Sequence, residues 1–545
     1  MSDKKRKAFA DDTSGTRAAS FADVLIPLEF CSSKSKTWDT QAELLTPSQA
    51  RNKLLTGLYD TEHFRETLKT HEKHDPLVFG RDLNAARFKD GVRETPSAQV
   101  ANSDTVWELY QQGCTLQVHQ PQRFHQPLAA ICSGLEQRLG CLVGVNAYLT
   151  PPSTQGLAPH HDDVEIFVCQ SQGSKRWRLY NFRHGFAKPS QPSGDLPEDS
   201  LGKPIMDVTL KVGDVLYMPR GTVHQAVAQE EASTHLTIST YQNWTYGTLA
   251  QALLHAGMQG QQEPACLPLS LRDSLPPGFL FHNGFQADTV KRLEAAAPQE
   301  AANAASLTPP RTKLAAALRD LADRIEQQPD LMSKAADLMS EDFMDNRAPI
   351  PEDSLLPAGP EPTLDCSVVC RARNAFRLVA FEHPRGAENG PMIKVISCLF
   401  NSIKDHMMGN EDEPMQDPSD GCCRPSRDCC QPNGDCHEAG CDHAANGHAR
   451  PPAQHQASSS DEEEAGESEE EEGHDSEQAD LVLPGAYSLA VAQLLNAHSC
   501  PVNVRKIDLD GDELKLDLAV TMWKEGILSV RPVVSKSEPG KKLKK

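Results

Sequence analysis

The chain has 545 residues, 38% of them hydrophobic, and a formal net charge of −22, which is too long for one hydrophobic core and too polar for a chain folded throughout. The charge does not exclude basic or nucleic-acid partners, because it is unevenly placed: residues 405–480 hold 22 Asp/Glu against three Arg and no Lys, and the rest is close to neutral. No apolar run is long enough to span a bilayer and no hydrophobic leader opens the chain, so the expectation is a soluble, intracellular protein without membrane contact, its 16 cysteines mostly thiols.

Residues 1–20 form a polar tail in which Lys4, Lys5, Arg6 and Lys7 cluster, and the closing tail, 534–545, ends in KKLKK. Such runs are either a nuclear address or ordinary solvated ends. From 21 to about 100, helical and loop patterns mix. Between about 105 and 245 the pattern turns to short β-rich runs, among them CLVGVNAYLT, VEIFVCQ, RWRLYN, DVTLKVGDVLYM and THLTISTYQ, punctuated by Gly, Pro and Ser. No ten-residue helical stretch alternates with them, which favours an antiparallel sandwich or barrel over a doubly wound sheet.

Helices return after about 246. In KLAAALRDLADRIEQQ, Leu314, Leu318, Leu321 and Ile325 recur at steps of four, three and four, giving one apolar stripe. The stripe packs either within its own domain or on a second copy of the chain. Two folded-looking pieces, 346–404 and 481–533, flank the insert 405–480. The second reads as helix, turn, helix and then a strand after Gly526, the order of a winged helix. The acidic run of the insert is a solvated, unfolded segment that either binds basic partners or keeps the linker extended. Cys422, Cys423, Cys429, Cys430, Cys436 and Cys441, with His437 and His443, lack the paired Cys-x2-Cys spacing of zinc sites, so a disordered insert is the preferred reading there. DLDGDE at 508–513 is not a calcium loop, since Gly511 comes too soon after Asp508.

LAPHHDDVEIF contains His-x-Asp twice, as His160/Asp162 and as His161/Asp163. On a strand, residues i and i+2 share a face, so either pair sets an imidazole beside a carboxylate, two of the three ligands of a facial triad for Fe(II). In KVGDVLYMPRGTVHQAV a Gly-Asp turn, an apolar strand and a Pro-Arg-Gly turn lead to His224 at the start of the next strand, a hairpin suited to bring it back across a barrel. The competing reading is a polar surface turn and a half-buried histidine, and spacing alone leaves the frame open. In GSKRWRLYN, alternation puts Lys175, Trp177 and Leu179 on one face and Arg176 and Arg178 on the other. Lys175 is then an inward cation awaiting a carboxylate or a routine surface lysine.

The run NAYLTPPSTQGLAPHHDDVEIFVCQSQGSKRWRLYN, with GDVLYMPRGTVHQA and THLTISTYQ, closely resembles the ribosomal oxygenase branch of the Jumonji C proteins, also called bifunctional lysine-specific demethylases and histidyl-hydroxylases. The likeness spans roughly residues 45–345 and, more loosely, the parts up to about 533. It implies an α+β chain: a double-stranded β-helix (cupin-like Jumonji C) core with N-terminal helical elements over 21–245, a helical dimerisation domain over 246–345, and a C-terminal winged helix from 346–404 and 481–533. In the family the metal-binding histidine directly follows Ala-Pro, which implies His160 and Asp162 as ligands, with His224 as the distal one. The likeness also implies Lys175 as the 2-oxoglutarate-binding residue and Asn146, Tyr148 and Ser239 as substrate-cleft residues.

Fe(II) and 2-oxoglutarate are the implied cofactors. The implied chemistry is oxidation of an unactivated C–H bond, with succinate and CO2 as coproducts and no side-chain acid or base. The expected reaction is hydroxylation of a histidyl residue of a ribosomal protein; the alternatives are histone lysine demethylation, both activities, or a non-enzymatic scaffold in ribosome assembly or chromatin. Gln117 stands where relatives commonly carry Arg, which bears on substrate choice more than on the oxygenase chemistry. A homodimer in the nucleus, within the nucleolus, is expected. Direct nucleic-acid binding is not, because 481–533 has no dense basic stripe.

Overall fold

The computed structural model describes residues 21–26, 36–45, 47–96, 100–181, 188–240, 244–259, 267–275, 310–382, 391–408 and 480–531. Both basic tails, the cysteine cluster and the acidic run lie outside the described residues.

The first part of the chain carries β1 (Glu43–Leu44), β2 (Leu83–Lys89), β3 (Val92–Glu94), β4 (Thr115–His119), β5 (Val143–Thr150), β6 (Glu165–Gln172), β7 (Ser174–Tyr180), β8 (Met206–Lys211), β9 (Val215–Met218), β10 (Val223–Ala228) and β11 (Ser233–Thr240). They build two antiparallel sheets, one of eight strands in the order β1-β9-β6-β11-β5-β4-β2-β3 and one of three in the order β10-β7-β8. Period-2 alternation decides what each face does. Val145, Ala147 and Leu149 of β5, Phe167 of β6, Tyr217 of β9 and Leu236 of β11 turn to a core beneath the helices. Their neighbours Ile166, Val168, Leu216 and Met218 turn the other way and meet Trp177, Leu179 and Leu210 of the small sheet. Full burial of one such side chain contributes about 1.5–3 kcal/mol, and a one-residue slip would exchange the two faces of a strand. Register is therefore tightly specified. The β6–β7 hairpin turns at Gly173, whose φ is +59° and whose added Cβ would stand 2.1 Å from the Ala232 carbonyl oxygen, so only glycine fits.

Two expectations need correction. The region read as helix-free contains the helices Ser103–Gln111 and Gln126–Leu139. The second starts with Pro127 in its first turn, ends at Gly140 in the left-handed region, and buries Leu128, Ile131, Cys132 and Leu135 against the large sheet. Conversely, the region read as helices and loops supplies β1, β2 and β3, which flank the large sheet.

Beyond the barrel, the helices Tyr246–Gln259, Pro310–Gln327 and Pro329–Asn346 share a core of Leu253, Leu267, Leu321, Leu331 and Ala335. The apolar stripe is split: Leu321 is buried, whereas Leu314 and Leu318 are 54% and 45% exposed. The C-terminal part has β12 (Ser367–Cys370), β13 (Phe376–Glu382), β14 (Pro391–Ser397), β15 (Leu481–Pro484), β16 (Val502–Asn503) and β17 (Leu528–Arg531), with helices Ser488–Leu495 and Asp512–Lys524. Val368, Ile393 and Val395 from before the insert pack with Val491, Leu494, Met522 and Leu528 from after it. The two flanking pieces thus form one unit. No helix among the described residues is long and apolar enough to cross a membrane.

Candidate metal centre

His160 forms an isolated antiparallel bridge with His224: its amide donates to the His224 carbonyl at 3.2 Å, and the His224 amide donates back at 2.8 Å. Asp162 is not on a strand, contrary to the expectation. It lies in the loop between that bridge and β6, where the Gly221 amide donates to its carbonyl at 2.7 Å, and the β6 ladder begins only at Glu165. The side chains converge all the same. The donor atoms of His160, Asp162 and His224 lie within 4.8 Å of one another, with the two Nε2 atoms 3.9 and 3.7 Å from Asp162 Oδ2. Those separations are too long for hydrogen bonds. They suit a shared ion, since two donors each about 2.1 Å from one metal stand at most about 4.2 Å apart.

The ring orientations are fixed from behind. His160 Nδ1 donates to the Ala158 carbonyl at 2.8 Å and His224 Nδ1 to the Thr222 carbonyl at 3.0 Å. A carbonyl only accepts, so each Nδ1 carries the proton and each Nε2 lone pair is free for a metal. Burial, reinforced by His160, pulls the pKa of His224 down and keeps its ring neutral. His161 and Asp163, the other frame, stand outside this group.

β7 alternates as its sequence predicts, with Lys175, Trp177 and Leu179 buried and Arg176 exposed. Lys175 is 4% exposed, and its Nζ donates to Thr150 Oγ1 at 2.9 Å. Among the described residues no carboxylate perturbs its ammonium, and burial pulls its pKa down to about 7. Lys175 lines the same cavity as the three metal-type ligands, together with Thr115, Trp177 and His235. A buried cation without an anion is costly. The cavity therefore suits an anionic ligand reaching from the metal position to Lys175.

Cross-strand register sets the rest of the wall. Gln117, Tyr148 and His235 face one another across β4, β5 and β11, and His119, Asn146 and Thr237 form the next row. Tyr148 stacks on His235 with ring centroids 4.8 Å apart and receives a hydrogen bond from Gln117 Nε2 at 3.1 Å. Asn146, in that next row, is not among the residues that line either cavity. On the outer side of the ligands a second cavity runs past Tyr148 to Asn84, Arg93, Gln117, His119 and Asp195. Ser239 lies away from these two cavities. It shares a strand face with His235 and Thr237 but pairs with Gly144, one row further on, and lines a separate cavity beside Trp244 and Phe343. Thr150 and His235 were not anticipated. Strand parity would have found them, since each is two residues from a position already singled out or paired with one.

Comparison with known proteins places this geometry. Residues 117–249 match the JmjC domain. Ribosomal oxygenase 2 of Bos taurus is 36% identical over 348 residues, covering 62% of this chain and 69% of that protein. The bifunctional lysine-specific demethylase and histidyl-hydroxylase NO66 of Drosophila grimshawi is 36% identical over 314 residues, 56% of this chain and 42% of that protein. The chain thus spans less than half the length of several curated relatives it matches. The solved structure of YcfD, described as a ribosomal oxygenase from Escherichia coli in complex with cobalt and 2-oxoglutarate, is 16% identical with a TM-score of 0.37, over 67% of this chain and 82% of that one.

Proposed function

Because this chain belongs to the ribosomal oxygenases of the JmjC family, we propose that it is an Fe(II)- and 2-oxoglutarate-dependent oxygenase that hydroxylates a histidyl residue of a ribosomal protein. The observation that carries the reading is a buried lysine, Lys175, with no acid to pair with it among the described residues, in one cavity with His160, Asp162 and His224. When bound, iron and 2-oxoglutarate supply an oxidant able to take hydrogen from an unactivated C–H bond. The chain's own residues do the rest. His160, Asp162 and His224 hold the ion on one side, and Lys175 with Thr150 takes the far carboxylate. Trp177 and the Tyr148–His235 stack wall off the cofactor, while the cavity past Gln117 and His119 receives the substrate side chain.

The test is mass spectrometry of ribosomal proteins and of methylated histone peptides after incubation with Fe(II), 2-oxoglutarate and O2. Hydroxylation adds one oxygen atom to a ribosomal-protein histidine, and a His160→Ala/Asp162→Ala variant abolishes the gain. Loss of a methyl group from lysine peptides instead would establish the second reading, histone demethylation, which the Drosophila relative's name carries beside hydroxylation. A double variant that retains full cellular function would favour a scaffold.

The remaining expectations belong to the same proposal. The exposed Leu314 and Leu318, with Met258 and Leu269 on neighbouring elements, support a helical homodimerisation domain over 246–345. The joined core of the C-terminal pieces supports a winged helix used for protein contact. The basic tails support a nuclear, nucleolar location.

A further inference from the structure

The loop that carries Asp162 is not part of a strand ladder, and beside the Gly221 amide it is held by one serine. Between the His160–His224 bridge and the start of β6, the His161 amide donates to Ser193 Oγ at 2.9 Å, and the Ser193 amide donates to the His161 carbonyl at 2.9 Å. Both backbone polar groups of the residue between two ligands are therefore held by a single residue 32 positions away. The same segment adds a further tie, Leu196 amide to Pro159 carbonyl at 2.8 Å, just ahead of the ligands. Asp162 depends on these ties more than the histidines do. Each imidazole is braced through its own Nδ1, whereas the polar contacts of the Asp162 carboxylate run to the two histidine rings it would share a metal with. Among the described residues its aim is set by backbone placement, by Gly221 at its own carbonyl and by Ser193 one residue earlier.

We propose that Ser193 is a positioning residue for the metal centre, its hydroxyl and amide clamping His161 so that Asp162 points at the ion. This rests on the oxygenase reading above. The segment also has a second face: Pro192, Ser193, Gly194 and Asp195 wall the outer cavity, and Asp195 is tied across its mouth to Arg93 at 3.3 Å. A substrate seated in that cavity bears directly on the residues that hold Asp162. Partners outside the ligand set commonly change metal affinity by about 10–100-fold when removed, and a lost hydroxyl here leaves the His161 amide without its acceptor.

The test uses the full chain stripped of metal and titrated with Co(II), followed by visible absorption, with melting of the metal-free protein measured alongside. Ser193→Ala should weaken Co(II) binding by about tenfold or more while the metal-free protein melts as the parent does. Ser193→Thr, which keeps the hydroxyl, should restore most of the affinity. Parent-like Co(II) binding by Ser193→Ala, or equal weakening in both variants, overturns the proposal. A parent protein that binds no Co(II) overturns the oxygenase reading itself, and the clamp with it.

Discussion

Lys175 shows how one side chain can be a liability to the fold and a requirement for the site. Burial disfavours its charged form and pulls its pKa down to about 7, and its Nζ donates to the Thr150 hydroxyl. The unfolded chain binds that proton more readily than the fold does, so between pH 7 and the ordinary lysine value this residue makes stability rise with pH. A dicarboxylate in the cavity reverses the preference by pairing with the ammonium. Affinity for 2-oxoglutarate should accordingly be level below about pH 7 and fall above it, by up to about tenfold per pH unit while the free site titrates. Lys175→Met keeps the apolar stem and removes the charge. It should weaken 2-oxoglutarate binding to the Mn(II)-loaded protein by roughly tenfold to a hundredfold, in line with the worth of a hydrogen bond to a charged group, yet raise the melting temperature of the ligand-free protein. Calorimetric titration at several pH values and thermal melts check both halves, and a variant that loses affinity without gaining stability would contradict the account.

At the scale of elements, the helix Pro310–Gln327 separates what a sequence pattern can say from what packing decides. Its stripe is read directly from spacing, but whether the stripe is covered within the chain is not a local property. Leu321 is buried and Ile325 partly so, while Leu314 and Leu318 face outward. If a second copy covers them, Leu314→Glu/Leu318→Glu should convert a dimer to a monomer in sedimentation equilibrium with the monomer's melt unchanged, and an oligomeric state that ignores the substitution removes the dimer proposal. The same division runs through the barrel. Strands β5, β6, β7 and β11 were legible because each is a β-rich run of seven or eight residues. β1 and β3 were not, being two and three residues long, too short to show a period. The helix Gln126–Leu139 was legible and overlooked: Leu128, Ile131, Cys132 and Leu135 follow helical spacing between a proline and a glycine. The metal frame could not be read from spacing, since both His-x-Asp pairs are equivalent in sequence. The bridge from His160 to His224 and the convergence of Asp162 on both rings distinguish them in space. The place of Ser239, beside a different cavity, has a related reason. Parity assigns a face correctly but does not say where along the strand a cavity ends, and each two-residue step moves a side chain by roughly 7 Å.

Across the whole molecule, the barrel, the helical part and the C-terminal unit meet at a carboxylate that no sequence pattern announces. Glu136, on the helix Gln126–Leu139, is fully buried and accepts three hydrogen bonds: from the Val143 amide at 3.1 Å, from the Ala348 amide at 2.8 Å and from His406 Nε2 at 2.9 Å. Ala348 follows the helix Pro329–Asn346, and His406 closes the segment that leads out of the C-terminal sheets, where Gln122 meets its other ring nitrogen at 3.2 Å. One side chain therefore joins segments 212 and 270 residues away. In a one-dimensional reading Glu136 is simply a polar residue on an amphipathic helix. Its removal leaves two amides and an imidazole without an acceptor in a site closed to water, and breaking a buried pair of this kind costs about 3–5 kcal/mol. Because the losses fall on both sides of the junction, Glu136→Ala should not merely lower the melt but separate it, the C-terminal unit unfolding ahead of the barrel in scanning calorimetry. Glu136→Gln, which retains one acceptor oxygen but turns an amide NH2 toward donors, should fall between the two. A Glu136→Ala protein that melts in one transition at the parent temperature would mean that the apolar contacts of Phe343, Met344 and Ile396 hold the units together without the carboxylate.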